Sequence, residues 1–315
     1  MPIYPAPPII NIFFILKFEY VYINVDSMQL FITGSGTLIG NSLSSFFLKK
    51  KGYKIISTYN KSFPKNLKNI KNVSLKKLDL LDNLNFKKKF DVLIHCASAI
   101  PDYNFDKKKI NQTNVSGFKK ILSICKKNEC KKIILLSTMD VYGDIQVNKV
   151  NENYIGKKVN WYGKSKKKME DLLKIYCQKN RIDGFIFRLP GVVGKNSSHN
   201  FLSNLMKKIK KNQNLIIYNP KAMFNNLIHV KNLCSIVEQI LKKKGIKIYN
   251  LGTKKPLKIA DVVKILKKNH KISKIYCDRE IKNSFTININ KALRDDLKLF
   301  STKKSLDLFR QENIR

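Results

Sequence analysis

A short apolar run that leads through a glycine-rich turn into a helix constrains this chain more than any other feature. Residues 29–33 predict a strand, and apolar residues recur at helical spacing from Leu43 to Leu48. Glycine permits the tight turn between them and lets backbone amides approach a pyrophosphate at the positive end of the helix. The pattern predicts dinucleotide binding, although such a turn can also be a simple helix entry. The predicted binding residues are Gly34, Ser35, Gly36, Thr37, Leu38, Ile39 and Gly40.

Further predicted strands alternate with helices along the next hundred residues. Apolar runs predict strands at 53–58, 73–80, 91–97 and 132–137, and a helix at 110–127. This alternation gives right-handed crossovers and a parallel sheet that is covered on both faces. We therefore expect an α/β fold with a doubly wound, Rossmann-like parallel sheet, whose ligands lie beyond the carboxyl ends of the strands.

The ends of three predicted strands supply further cofactor residues. After the second strand, Tyr59, Asn60 and Lys61 include no acid that could bind an adenosine ribose, whereas Lys61 could face a 2′-phosphate. The sequence therefore favours NADP slightly over NAD. The other predicted contacts are Asp79 and Leu80, with Asp79 at an adenine amine, and the small residues Ala97 and Ser98, over which the cofactor passes.

A tyrosine and a lysine spaced four residues apart supply the predicted chemistry. Tyr162 and Lys166 begin a helix and lie on one of its faces, so their side chains can converge. An ammonium near a phenol favours the phenolate, so we expect Lys166 to lower the pKa of Tyr162 toward that of a general base. Thr138, at the end of the fifth strand, could hold a substrate oxygen.

Composition excludes few function classes despite a formal net charge of +40. Only six of the 62 basic residues are Arg, and the lysines are scattered, so we expect a solvated basic surface and no specific nucleic-acid partner. The six cysteines form no C-x-x-C pair, which fits a reducing cytoplasm, and the four histidines lack ligand spacing, so no metal site is predicted.

The first 27 residues do not belong to this pattern. Their apolar stretch at 9–16 is interrupted by Lys17 and Glu19, well short of the roughly 20 residues that span a bilayer, so no membrane span is expected. No basic segment precedes it, which argues against a signal peptide. We expect Met28 to be the physiological start, and an N-terminal extension is the alternative.

The order and spacing of these residues resemble the extended short-chain dehydrogenase/reductase family, the NAD-dependent epimerases/dehydratases. The resemblance covers residues 28 to about 300 and continues through segments 141–143, 188–194, 227–230 and 249–252. It implies that Tyr162 exchanges a proton with a sugar hydroxyl or ketone while hydride moves to or from a nicotinamide. Lys166 then also binds the nicotinamide ribose, and Thr138 positions the substrate. Asn114 and Pro190 complete the expected cofactor contacts, together with Tyr162 and Lys166.

Three departures from the family pattern bear on function. Thr37 stands where the middle glycine of the turn is usual, so cofactor binding requires an ordinary backbone there. Met139 and Asp140 replace the acidic pair of the 4,6-dehydratases, which disfavours water elimination. Asn225 and Asn226 occupy the place of an Arg that grips a nucleotide diphosphate, so other cations would have to replace it. The candidates are Lys221 and Lys282.

We expect residues 28–189 and 226–253 to form the dinucleotide-binding domain, and residues 190–225 and 254–315 a smaller substrate lobe. The expected activity is that of an NAD(P)-dependent epimerase or ketoreductase acting on a sugar, and we expect that sugar to be nucleotide-linked. The alternatives are an NADP-dependent reductase of a non-nucleotide carbonyl and a non-catalytic dinucleotide sensor. By resemblance, the chain would form a homodimer through the helices at 110–127 and 162–178.

Overall fold

A computed structural model describes residues 27–82, 86, 88–101, 106–268 and 284–313, and the backbone of residues 275–278. Except for its last residue, Ser27, the predicted N-terminal extension lies outside the described residues, and so does Lys282. The hypothesis that translation starts at Met28 therefore stays a prediction.

The elements follow one another in an alternating order. The strands are β1 (Met28–Thr33), β2 (Tyr53–Tyr59), β3 (Val73–Lys77), β4 (Val92–His95), β5 (Lys132–Thr138), β6 (Lys149–Val150), β7 (Asp183–Leu189), β8 (Gly191–Val193), β9 (Leu215–Tyr218), β10 (Met223–Phe224), β11 (Leu227–His229), β12 (Ile246–Asn250), β13 (Leu257–Lys258), β14 (Ile275–Asp278) and β15 (Thr286–Ile287). The α-helices are α1 (Leu38–Leu48), α2 (Lys107–Asn111), α3 (Gly117–Lys127), α4 (Trp161–Asn180), α5 (Phe201–Lys210), α6 (Val230–Leu241), α7 (Ile259–Lys267), α8 (Asn290–Arg294) and α9 (Thr302–Asn313).

Seven of these strands form one parallel sheet in the order β12-β7-β5-β4-β1-β2-β3. From β1 the chain builds β2 and β3 on one side and then crosses to build β4 on the other, so the strand order reverses between β1 and β4. A crevice forms at this switch point beyond the carboxyl ends of the strands. The predicted α/β doubly wound fold is confirmed.

The sheet separates two apolar cores. Leu30 and Ile32 of β1 face the core that α1 and α6 cover, whereas Phe31 faces the core that α3 and α4 cover. A third apolar cluster draws mainly on α5, α7 and α9 with β9, which are segments of the predicted substrate lobe. The exact domain bounds stay a prediction.

Three element bounds differ from the sequence prediction near the crevice, and the first is that of strand β4, which ends at His95 so that Ala97 lies beyond it. Strand β3 ends at Lys77, so Asp79 and Leu80 lie beyond it rather than within it. The helix predicted from residue 110 begins at Lys107, because the Asp106 side chain accepts a hydrogen bond from the Lys108 amide at 3.1 Å and caps it. A π-helical turn at Gln112–Ser116 then joins α2 to α3. Such turns frequently occur at functional sites.

Within the part of the chain that the structure describes, none of the helices combines the length and the apolar character that crossing a bilayer requires.

Candidate active site

The glycine turn between β1 and α1 brings the backbone close to the loop that follows β4. Gly34 has φ +74°, and a Cβ there would lie 2.8 Å from the Ala97 amide nitrogen. A Cβ at Gly40 would lie 2.3 Å from the Gly34 carbonyl oxygen, so a side chain would force the turn open. Gly36 packs against the carbonyl of Ser62, just after β2. The turn is therefore built by close backbone approach, as the sequence predicts.

Thr37 fits the turn although a glycine is usual there. Its backbone is extended, with φ −96° and ψ 163°, which any residue adopts. Its hydroxyl accepts a hydrogen bond from the Gly40 amide at 3.3 Å and donates one to the Gly34 carbonyl at 2.8 Å. Thr37 is thus the N-cap of α1. The amides of Leu38 and Ile39 lie in the first turn of this helix, where amides have no intrahelical partner and attract anions.

The residues predicted to contact the adenosine lie together beyond β2 and β3. The Asn60 amide donates a hydrogen bond to Asp79 Oδ2 at 2.9 Å, and Asp79 Oδ1 accepts one from the Leu81 amide. Lys61 is exposed. Leu80 instead packs in the core against Gly117 at the start of α3, so its side chain has a structural role.

A hydroxyl of β1 organises the loop after β4. Thr33 Oγ1 accepts hydrogen bonds from the Cys96 and Ala97 amides at 3.1 and 3.2 Å, and it lies 2.9 Å from His95 Nδ1. Because its oxygen accepts twice, its proton goes to Nδ1, and burial lowers the pKa of His95 to about 3. His95 is therefore neutral, and the loop carrying Ala97 and Ser98 is held over the end of the sheet.

Asn114 lies in the π-helical turn and uses all its hydrogen-bonding capacity within the protein. Its Nδ2 donates to the Ala99 carbonyl at 3.1 Å and to Ser165 Oγ at 3.0 Å. Its Oδ1 accepts from the Ala99 amide at 2.7 Å and from Ser98 Oγ at 3.1 Å. The side chain predicted to contact the cofactor therefore fixes the loop after β4 and the hydroxyl of Ser98.

Tyr162 and Lys166 come together on the first turns of α4, which Asn160 caps. Ser98 lies between them: the Lys166 ammonium donates to Ser98 Oγ at 3.5 Å, and the Tyr162 phenol is hydrogen-bonded to the same hydroxyl. Sequence reasoning placed the two residues on one face but missed this third partner. The sequence contained a signal for this contact, because Ser98 follows a predicted strand of the sheet and therefore lies at the edge where ligands bind.

The predicted lowering of the Tyr162 pKa is wrong, because the pKa is raised. Burial raises the pKa of Tyr162 to about 12, the nearby Asp140 carboxylate adds to this rise, and the hydrogen bond with Ser98 opposes it. Burial also lowers the pKa of Lys166 to about 8, although Cys96 and Glu170 oppose this. Desolvation therefore outweighs the local charges at both groups, because both side chains are turned into the protein.

Replacing Lys166 with Met should stabilise the folded protein while removing function. Below pH 8 the ammonium is charged in both states and its burial destabilises the fold. Between about pH 8 and its ordinary pKa, only the unfolded chain holds the proton, so wild-type stability should rise with pH. We expect Lys166→Met to raise the free energy of unfolding at pH 7 by on the order of 2 kcal/mol and to flatten this rise, measured by denaturant unfolding at several pH values.

The exposed Lys164 on the same helix provides the matched control, since Lys164→Met removes a charge that is not buried. A Lys166→Met protein that is less stable than wild type at pH 7 and keeps the pH slope would show that the buried ammonium does not destabilise the fold.

Thr138 and Asp140 line the same edge at the end of β5. The Thr138 hydroxyl accepts a hydrogen bond from the Asp140 amide at 3.2 Å and is hydrogen-bonded to the Asp140 carboxylate. Burial raises the pKa of Asp140, and this hydrogen bond opposes the rise. Met139 between them packs against the apolar core. The sequence placed Thr138 correctly at the strand end but did not anticipate that Asp140 would hold it.

A buried polar network lies directly behind these residues. Arg188 forms two hydrogen bonds to the Glu170 carboxylate at 3.1 and 2.7 Å, and Ser137 Oγ donates to Glu170 Oε1 at 2.6 Å. Arg188 also donates to the Tyr142 hydroxyl, which donates in turn to Asn250 Oδ1. The segments at 141–143, 188–194 and 249–252, which carry the sequence resemblance, thus meet in one network behind the crevice.

Two residues near the substrate side are structural. Asn225 is buried, and its amide bonds to the Thr253 carbonyl and to both backbone groups of Ile287, so it is not free to bind a phosphate. His229 accepts a hydrogen bond from the Lys231 amide at Nδ1, donates from Nε2 to Glu312, and has its pKa lowered by burial. Pro190, between β7 and β8, is half-buried at the same edge. Lys221 is exposed.

These residues fit a bound dinucleotide. The helix amides and close-packed glycine turn lie at the strand-order reversal, the Asp79 carboxylate lies on one side, and Tyr162 and Lys166 lie on the other. The donors are those that a pyrophosphate and two riboses require.

Comparison with known proteins gives the same assignment. A sequence model described as "NAD dependent epimerase/dehydratase family" matches residues 30–252. A dTDP-D-glucose 4,6-dehydratase from Dictyostelium discoideum is 28% identical over 264 residues, which span 75% of this chain and 61% of that protein. The chain therefore covers less than two thirds of the length of this relative.

Two solved structures share the fold. The UDP-N-acetylglucosamine 4-epimerase from Methanobrevibacter ruminantium M1, in complex with UDP-N-acetylmuramic acid, superimposes with a TM-score of 0.77 at 20% identity, covering 92% of this chain and 98% of that one. The UDP-glucuronic acid 4-epimerase from Bacillus cereus, in complex with NAD, gives 0.76 at 21% identity, covering 91% and 99%.

Neither comparison supports the preference for NADP that the sequence drew from Lys61. The family description names NAD, and the Bacillus cereus structure contains NAD. A site with a Tyr-x-x-x-Lys pair at the rim of a doubly wound sheet, and a family match over most of the chain, lead to one conclusion: this chain belongs to the NAD dependent epimerase/dehydratase family.

Proposed function

We propose that this enzyme inverts a hydroxyl-bearing carbon of a nucleotide-linked sugar, with NAD as its bound cofactor. The observation that carries the proposal is the grouping of Tyr162, Ser98 and Lys166 near Asp140, whose amide is hydrogen-bonded to the Thr138 hydroxyl. NAD supplies the hydride acceptor and donor when bound. Tyr162 takes the proton of the sugar hydroxyl and later returns it, Lys166 orients the nicotinamide ribose, and Thr138 holds the sugar oxygen.

The residue after Thr138 favours epimerisation over water elimination. Elimination needs an acid that protonates the departing hydroxyl, and the side chain of Met139 packs against the apolar core. Asp140 alone cannot supply both the acid and the base of an elimination. A 4,6-dehydratase is among the relatives of this chain, but that activity requires groups that are not present at residue 139.

The choice of NAD rests on the comparisons and on the residues beyond β2. The amide of Asn60, rather than a guanidinium, faces the Asp79 carboxylate at this end of the site. A 2′-phosphate would be brought near that carboxylate, which opposes its charge. Lys61 is exposed.

A nucleotide-linked substrate is supported by the solved epimerases, which carry uridine diphosphate sugars or act on them. Because Asn225 is committed to backbone groups, the diphosphate would need other cations, of which Lys221 is exposed near β10. The high density of lysine over the surface favours an anionic substrate in general.

The test is to purify the protein, identify any retained cofactor by mass, and incubate it with a panel of nucleotide sugars. We expect NAD to co-purify, and proton NMR to show an inverted sugar with no net change in the absorbance of reduced nicotinamide. Stoichiometric consumption of a reduced cofactor would instead identify a ketoreductase, and a product lacking one water molecule would identify a dehydratase.

A further inference from the structure

The Ser98 hydroxyl lies at the centre of the catalytic group and has four polar neighbours. Its oxygen is 3.1 Å from Asn114 Oδ1, 3.4 Å from the Ala99 carbonyl oxygen and 3.5 Å from the Lys166 ammonium, and it is hydrogen-bonded to the Tyr162 phenol. A serine hydroxyl has one proton to donate and two lone pairs that accept. With four neighbours and one proton, the neighbours determine which of them accepts that proton.

The orientation of the Asn114 side-chain amide determines which neighbour accepts the Ser98 proton. The Ala99 amide can only donate and the Ala99 carbonyl can only accept, so their hydrogen bonds place Oδ1 and Nδ2 of Asn114 unambiguously. The atom that faces Ser98 is therefore an acceptor. While Tyr162 is a neutral phenol, Ser98 donates to Asn114, which is nearer than the other acceptor, the Ala99 carbonyl, and its lone pairs accept from Lys166 and from the phenol.

The arrangement changes when Tyr162 loses its proton. A phenolate cannot donate, and it needs donors. If the Ser98 proton turns from Asn114 to the phenolate oxygen, Asn114 Oδ1 still accepts from the Ala99 amide and is not left unsatisfied. The Lys166 ammonium continues to donate to Ser98, which makes that hydroxyl a stronger donor through the chain of hydrogen bonds.

We propose that Ser98 is the positioning residue of this site, whose hydroxyl proton turns from Asn114 to Tyr162 when the phenol ionises and so connects Lys166 to the phenolate. The proposal deepens the proposed function, on which its catalytic meaning rests. No atom is gained or lost: the phenol proton goes to or comes from the substrate oxygen, and the Ser98 proton only changes its acceptor. The sequence predicted Ser98 as a cofactor contact because of its small size, and the proposal gives its hydroxyl a second role.

Other ionisable groups also face this centre. Asp140 approaches the phenol from the end of β5, Cys96 and Glu170 lie near the Lys166 ammonium, and the neutral His95 lies beneath it. Asp140 opposes ionisation of the phenol, whereas the Ser98 hydrogen bond favours it. Removing the Ser98 hydroxyl should therefore leave burial and Asp140 unopposed.

The test reads the ionisation of Tyr162 without any substrate. 3,5-Difluorotyrosine is incorporated at residue 162 of the full chain carrying NAD, because its lower intrinsic pKa brings the titration into a stable pH range. Fluorine NMR then follows this one residue among 13 tyrosines. We expect Ser98→Ala to raise the titration midpoint by about one unit or more, and Ser98→Thr, which keeps the hydroxyl, to restore most of it.

Ser305→Ala is the matched control, because it removes a buried hydroxyl in α9 and should leave the midpoint unchanged. If Ser98→Ala does not fold, Ser98→Cys replaces it, since a thiol of similar size is a weak donor and should give most of the same shift. An unchanged midpoint in Ser98→Ala or Ser98→Cys, or a Thr variant no closer to wild type than the Ala variant, overturns the proposal.

The two proposals can fail separately. If no nucleotide sugar is converted but the midpoint shifts as expected, the proposed function is wrong and the role of Ser98 stands. If turnover is found, the acid limb of its pH profile should move in Ser98→Ala in the same direction as the midpoint.

Discussion

We expect Tyr162→Phe to lower kcat by about 10²- to 10⁴-fold while cofactor binding is retained. A positioned general acid or base contributes a factor of this size, and the phenol of Tyr162 is the group that can exchange a proton with a sugar hydroxyl held at Thr138. The ring remains, so packing on α4 is preserved. Turnover of the substrate found by the nucleotide-sugar screen is measured together with the bound cofactor by mass.

Tyr176→Phe is the matched control, because it removes a phenol from the same helix about four turns away. Its kcat should stay within a few fold of wild type. A Tyr162→Phe enzyme that retains turnover within ten-fold would remove the assigned acid and base. Loss of the cofactor together with activity would instead point to a structural effect, which is why both quantities are measured on one preparation.

The part of the site that lies within one element could be predicted from the sequence. Tyr162 and Lys166 lie four residues apart on a helix, so periodicity alone places them on one face. The glycine turn is likewise local, because β1, the turn and α1 follow each other directly. Even the substitution at Thr37 is explained by local chemistry, since a threonine before a helix is a common N-cap.

The parts that join distant elements could not be predicted in the same way. Ser98 and Asn114 are 16 residues apart in sequence. Their contact depends on a π-helical turn, which the spacing of apolar residues does not predict. The sign of the pKa shift at Tyr162 depends on how deeply the phenol is buried, which the sequence does not contain. The preference for NADP, which the comparisons do not support, was likewise drawn from residue types alone, from the lack of an acid after β2 and the charge of Lys61.

The ion pair between Arg188 and Glu170 is buried and joins two different elements of the fold. We expect it to stabilise the site. Glu170 is fully buried on α4, one turn beyond Lys166, and its carboxylate accepts from Ser137 as well as from Arg188. Arg188 is nearly buried at the end of β7, and the Glu170 carboxylate raises its pKa well above the ordinary value. The pair therefore ties α4, which carries the catalytic residues, to β5 and β7.

Arg188→Met should lower the free energy of unfolding by about 3–5 kcal/mol, because it leaves the buried carboxylate of Glu170 without its partner. The double variant Arg188→Met with Glu170→Leu should recover most of that loss, since no unpaired charge remains. Tyr142→Phe, which removes one hydrogen bond to the same guanidinium, should cost only about 1 kcal/mol. Denaturant unfolding of the four proteins at pH 7 measures these differences. A double variant that is as unstable as Arg188→Met would mean that Arg188 acts through Tyr142 and the Glu152 carbonyl rather than through the charge of Glu170.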